Sequence, residues 1–92
     1  MKAELLYHSK KVKPDGDTIE ITIWKVPVTE DKPLGVKYSL VFIRDGKRVI
    51  CYDNAEGKGD HKHIGDKELS YRFTTVKKLF EDFYRDLEEA QR

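Results

Sequence analysis

Apolar residues fall at every second position in three stretches of this chain and at helical spacing in a fourth. Residues 18–26 alternate most cleanly, with Ile19, Ile21 and Ile23 on one face and Glu20, Thr22 and Trp24 on the other. β-branched side chains at period two predict a strand. Residues 3–12 predict another, with Ala3, Leu5 and Tyr7 on one side and Leu6 and His8 opposite, ending in the basic Lys10, Lys11 and Lys13. Pro14-Asp15-Gly16 separates the two as a turn, because Pro presets φ and Gly accepts φ > 0.

Residues 36–43 carry Val36, Tyr38, Leu40 and Phe42 on one face and Val41 and Ile43 on the other, which places this strand centrally. A polar loop containing Thr29, Glu30, Asp31 and Lys32, bracketed by Pro27 and Pro33, leads into it. Asp45-Gly46 is a two-residue hairpin signal, and a fourth strand is expected to run to about Tyr52. Residues 53–66 read as a loop and 68–73 as a short edge strand or extended chain. Beyond them Val76, Leu79, Phe80, Phe83 and Leu87 form one helical stripe, with Thr74 as the expected N-cap and Lys77 where a capping box would place an acid. Lys77, Lys78, Glu81, Asp82, Arg85, Glu88 and Glu89 are expected to cover the rest of that helix. Asp86, Glu88 and Glu89 oppose its macrodipole, so its last turn is expected to fray. The whole predicts an α+β domain spanning residues 1–92: an antiparallel sheet of four to five meandering strands with one C-terminal helix on one face.

Composition narrows the function classes. Eighteen Lys and Arg against seventeen Asp and Glu leave a net charge of +1, which argues against a strongly basic nucleic-acid module or a polybasic membrane binder. No apolar run approaches the roughly 20 residues of a membrane span, and no signal peptide is expected. A lone cysteine, Cys51, cannot form an intrachain disulfide and fits a reducing cytosol. Abundant Lys and Glu with few Asn, Gln and Met lean towards a thermophilic source.

Candidate chemistry concentrates in Cys51-Tyr-Asp-Asn-Ala-Glu-Gly-Lys-Gly-Asp-His-Lys-His63, which holds two of the three histidines. His61 and His63, one residue apart, share a side if the segment is extended. Two imidazoles can act as acid and base near neutral pH, or bind a transition metal with Asp60 or Asp53 as third ligand; two solvated loop histidines are the plainer alternative. Gly57 and Gly59 can turn their amides towards an anion, with Lys58 supplying charge, although no Walker motif is present; a flexible turn is the competing reading. Asp53 is a base, ligand or histidine orienter, and Asp53-Asn54 equally ends a strand through local hydrogen bonds. A calcium loop is excluded, because Ala55 stands where a ligand is needed. Cys51 reads as a buried thiol. Trp24, Tyr38 and Tyr52 stack bases only if they leave the core. The acidic helix face around Glu81, Asp82, Glu88 and Glu89 is a solvated surface or meets a basic partner.

Together these groups match the needs of a metal-independent ribonuclease. A base takes the 2′-OH proton, an acid protonates the leaving oxygen, and a cation steadies the phosphorane. On that reading His61, His63, Asp60 and Asp53 are catalytic, while Lys58, Gly57, Gly59, Lys62, Asn54 and Tyr52 hold substrate. A protein-binding module and a metal-dependent nuclease are the alternatives. An open edge strand and the Trp24 face also allow a homodimer.

The run Tyr52-Asp53-Asn54-Ala55-Glu56-Gly57-Lys58-Gly59-Asp60-His61-Lys62-His63 resembles the hallmark of TumE-like proteins. Tyr71-Arg72-Phe73-Thr74-Thr75-Val76, Lys2-Ala3-Glu4-Leu5-Leu6 and Ile23-Trp24-Lys25-Val26-Pro27 are similar to further parts of that family, in order along nearly the whole chain. The resemblance implies the toxin half of a prokaryotic toxin–antitoxin pair, cytoplasmic, with an antitoxin that typically carries a helix-turn-helix DNA-binding domain. It implies no particular catalytic mechanism.

Overall fold

The computed structural model describes residues 3–55 and 57–91, so Lys2 and Glu56 of the quoted motifs lie outside the described residues. Six strands form one antiparallel sheet in sequence order: β1 (Glu4–Val12), β2 (Thr18–Lys25), β3 (Val36–Arg44), β4 (Lys47–Asp53), β5 (His61–Ile64) and β6 (Lys67–Ser70). One helix, α1 (Val76–Ala90), packs on one face, closest to β4. This is the expected α+β meander with more strands than the spacing predicts. The added strand is β5, inside the segment expected to be a loop.

The core lies between α1 and the sheet. Ile21 and Ile23 of β2, Tyr38, Leu40 and Phe42 of β3, and Ile50 and Tyr52 of β4 are buried against Leu79, Phe83 and Leu87 of α1. Each such side chain contributes about 1.5–3 kcal/mol by leaving water. Thr75, not Thr74, is the N-cap: its hydroxyl accepts from the Lys78 amide at 3.1 Å. No base stands in the helix's last turn, but Arg44 reaches over from β3 and donates to the Ala90 carbonyl at 3.4 Å. The same guanidinium pairs with buried Asp17 at 2.9 Å, joining the β1–β2 turn to the helix end.

Two bulges decide which residues face the helix. On β1, Leu5 pairs Trp24 but Tyr7 pairs Ile23, so Leu6 is the extra residue. Leu5 and Tyr7 therefore lie on opposite faces, contrary to unbroken alternation, and Tyr7 meets Phe80 of α1 edge-on. On β4, Arg48 pairs Ile43 while Ile50 pairs Phe42, leaving Val49 as the bulge. A one-residue slip exchanges the faces of a strand. Beyond Val49, Ile50 and Tyr52 turn to the core, and Cys51 and Asp53 turn to the open face. The β3–β4 hairpin closes through Asp45 and Gly46, both at positive φ (54° and 74°), the geometry its Asp-Gly sequence favours.

Candidate functional site

β5 carries the histidines because it pairs on both sides. His61 lies opposite Asp53 and His63 opposite Cys51 on β4; on β6 their partners are Ser70 and Glu68. Gly65, at φ 60°, and Asp66 form the two-residue turn between β5 and β6. Side chains alternate across this ladder. Asp53, His61, His63 and Glu68 stand on the open face, while Tyr52 and Lys62 stand on the helix face.

On the open face, His61 Nε2 is 3.1 Å from Asp53 Oδ1, and its Nδ1 is 3.2 Å from the Gly59 carbonyl. Both ring nitrogens thus meet acceptors, an arrangement that a doubly protonated imidazolium satisfies in full. His61 is nearly buried; His63 is half-exposed, with its ring centroid 5.2 Å from that of His61 and its Nε2 4.0 Å from Glu68 Oε1. Cys51 lies beside them, its thiol donating to Asp53 Oδ2 at 3.4 Å. Burial, then the Asp53 charge, pushes that thiol up to about 11, so Cys51 is a protonated structural residue at neutral pH. A cleft of about 220 Å³ runs along this face between Lys37, Ser39, Val41, Arg48, Cys51 and Asp53. Lys37 and Arg48 are cations of the open face that the motif-centred sequence reading missed; Arg48 lies three residues before Cys51, and the register of β4 brings it there.

The helix face of the same strands is a closed polar cluster. Lys62 donates to Asp86 Oδ2 at 3.0 Å and to the Tyr52 hydroxyl at 3.2 Å, and that hydroxyl donates in turn to Asp86. Tyr71 donates to Asp82 Oδ2 at 2.7 Å, and Lys78 to Asp82 Oδ1 at 2.8 Å. Asp82 and Asp86 are therefore buried against the sheet, and Asp82 is not part of the solvated acidic face that the sequence predicts for it. Burial, the largest single influence, would raise the Asp82 carboxyl, but the hydrogen bonds from Lys78 and Tyr71 together with the Lys78 and Arg85 charges outweigh it and hold the group below its usual range. Burial, then the hydrogen bond to the neighbouring acid, pushes the Tyr52 and Tyr71 hydroxyls well above their ordinary value.

The remaining sequence candidates have other tasks. Asn54 prolongs the β3–β4 ladder with its side chain, accepting from the Tyr38 amide at 3.0 Å and donating to the Val36 carbonyl at 2.8 Å. Asp60 accepts from the Tyr38 hydroxyl at 2.8 Å and from the Phe73 amide at 3.0 Å. It thereby ties the β4–β5 connection to the segment leading into α1. The Gly57 amide donates to Asp31 Oδ1 at 3.1 Å, so it meets the protein's own carboxylate. Lys58 is exposed in the same connection, and Gly59 supplies the carbonyl that holds His61. The structure thus brings Asp53, His61 and His63 together and separates them from Lys62 and Tyr52 by the thickness of the sheet. A larger recess of about 570 Å³ lies beside this connection, lined by Lys32, Leu34, Asn54, Asp60, Arg72 and Phe73 among others. Both Asp60 oxygens and the Asn54 amide are already engaged within the protein.

Among the described residues no helix is long and apolar enough to cross a membrane. The family model described as Toxin TumE matches residues 2–91. No curated protein and no solved structure matches the chain.

Proposed function

The chain belongs to the toxin TumE family and is the toxin of a toxin–antitoxin system, and from that premise we propose that it is a type II toxin acting on RNA by metal-independent acid/base cleavage at the open face of β4 and β5. The observation that carries this reading is the placement of His61 between Asp53 and the Gly59 carbonyl, with a second, more exposed imidazole beside it. His63 takes the proton of a ribose 2′-OH. The resulting oxygen attacks the adjacent phosphorus, and the 5′-oxygen leaves with a proton from His61, whose imidazolium Asp53 stabilises. The products are a 2′,3′-cyclic phosphate and a 5′-hydroxyl, with no change in oxidation state. Arg48 and Lys37 along the neighbouring cleft offer positive charge to the phosphate. The partner is an antitoxin, which we place in the cytoplasm with the toxin and expect to carry a helix-turn-helix DNA-binding domain.

Purified protein incubated with RNA in the presence of a chelator tests this. Fragments ending in cyclic phosphate are expected from the wild type and absent from His61→Ala and His63→Ala. Intact RNA with folded wild type would sink the reading.

A second reading, a protein-binding module without catalysis, is favoured by β1. This edge strand leaves Leu5, Leu6, Tyr7 and Val12 exposed beside unpaired backbone groups, which suits strand addition by an antitoxin or a second copy. Toxicity that survives loss of both histidines would favour it.

A further inference from the structure

The same open face has the donor set of a metal site. We propose that His61, His63 and Glu68 bind one divalent transition metal ion of the zinc class, with Asp53 beside them to supply a fourth donor, a second oxygen. Imidazole nitrogens with a carboxylate suit zinc and its neighbours, whereas calcium and magnesium prefer all-oxygen shells.

Three observations point the same way. First, the ligand atoms of His61, His63 and Glu68 lie within 4.8 Å of one another. A tetrahedral ion with bonds of about 2.1 Å draws its ligands to roughly 3.4 Å apart. The movement required falls on the two exposed members, His63 and Glu68, whose side chains are 42% and 67% exposed. Second, the ladder sets the backbone spacing in advance: β5 is paired to β4 and β6, so Glu68 lies directly opposite His63 and Asp53 directly opposite His61. Asp53 Oδ1, 3.1 Å from His61 Nε2 as an ion pair, lies close enough to turn to an ion held by that nitrogen. Third, His61 Nδ1 faces the Gly59 carbonyl at 3.2 Å. Metal-bound imidazoles use this outer hydrogen bond to fix the tautomer that directs Nε2 at the ion.

The face also holds an internal contrast. His8 and Glu20 pair at 3.1 Å towards its other edge, but there no second imidazole joins them. One imidazole and one carboxylate are too few for a closed or catalytic zinc site.

The functional consequence rests on the ribonuclease reading. Coordination occupies the histidine lone pairs that proton transfer needs, so the ion is a reversible inhibitor and a chelator restores activity.

The experiment is a titration of the metal-free chain with Co2+, followed by its visible absorption and by displacement with Zn2+, independent of any RNA assay. Wild type is expected to bind one Co2+ per chain. Glu68→Gln is expected to weaken binding roughly tenfold or more, His63→Ala to abolish it, and His8→Ala to leave it unchanged. His63 and Glu68 are exposed enough that both variants retain the fold, which a thermal melt verifies. Failure of the wild type to saturate, or equal binding by wild type and His63→Ala, overturns the site. Saturable binding by a protein that never cleaves RNA would uphold the site and remove the ribonuclease reading. Cleavage undiminished at saturating Zn2+ would overturn the inhibitory role.

Discussion

β4 and β5 present acid–base chemistry on both sides, to opposite ends. On the helix side Lys62, Asp86, Asp82, Tyr52 and Tyr71 lie under α1 and answer one another's hydrogen bonds. On the open side Asp53 and His61 form a largely buried pair, and beside them His63 and Glu68, with side chains 42% and 67% exposed, face solvent. A polar cluster tucked under the helix, with its members hydrogen-bonded to one another, holds two layers in register. Titratable groups at a water-accessible surface keep protons and lone pairs to exchange. The alternation of β4 and β5 decides which titratable side chain joins which cluster.

The sharpest way to break the contrast is Asp86→Ala, which strands the Lys62 ammonium against the helix. A loss of about 3–5 kcal/mol in urea unfolding is expected, the usual result of orphaning one member of a buried pair. His63→Ala, on the accessible side, should cost no more than about 1 kcal/mol, since its pair with Glu68 is exposed and 4.0 Å long. Equal losses would erase the distinction between the faces.

Alkaline titration gives the next effect. Burial first, then the hydrogen bond to Asp60 or Asp86, raises the Tyr38 and Tyr52 hydroxyls above the ordinary value of 10.0. A raised folded value stabilises the fold fully below the unfolded value, and that contribution is lost as pH climbs above it. Stability should therefore fall above about pH 10, by roughly 1.4 kcal/mol per pH unit for each tyrosine. Tyr52→Phe should flatten part of that slope; an unchanged slope in equilibrium unfolding would contradict it. At the acid end, the depressed Asp82 value adds stability that is lost as pH falls below the usual carboxylate range. A smaller effect belongs to the helix start. Thr75→Ala should cost about 1 kcal/mol while Thr74→Ala changes little, since only Thr75 caps the Lys78 amide.

Strands β1 to β4 and the helix stripe were legible because alternation and helical spacing follow from a buried face. β5 was not. His61, Lys62 and His63 carry little strand propensity, and the segment is extended because β4 and β6 pair with it. The Gly65-Asp66 turn was the available signal. The bulges at Leu6 and Val49 were hidden because apolar residues continue through them. Burial of Asp82 and Asp86 was illegible from the helix alone, because Lys62 is 24 positions from Asp86 and acts only across the fold. The gathering of Asp53, His61 and His63 was readable as a cluster in the chain; its separation from Lys62 and Tyr52 needed the strand.

The most direct measurement is growth arrest after induced expression of wild type, His63→Ala and His8→Ala, with the melting temperature of each purified protein measured alongside. Wild type and His8→Ala should arrest growth, while His63→Ala should fold with a melting temperature close to wild type and be harmless. Arrest by a stably folded His63→Ala would contradict the assignment of chemistry to the open face.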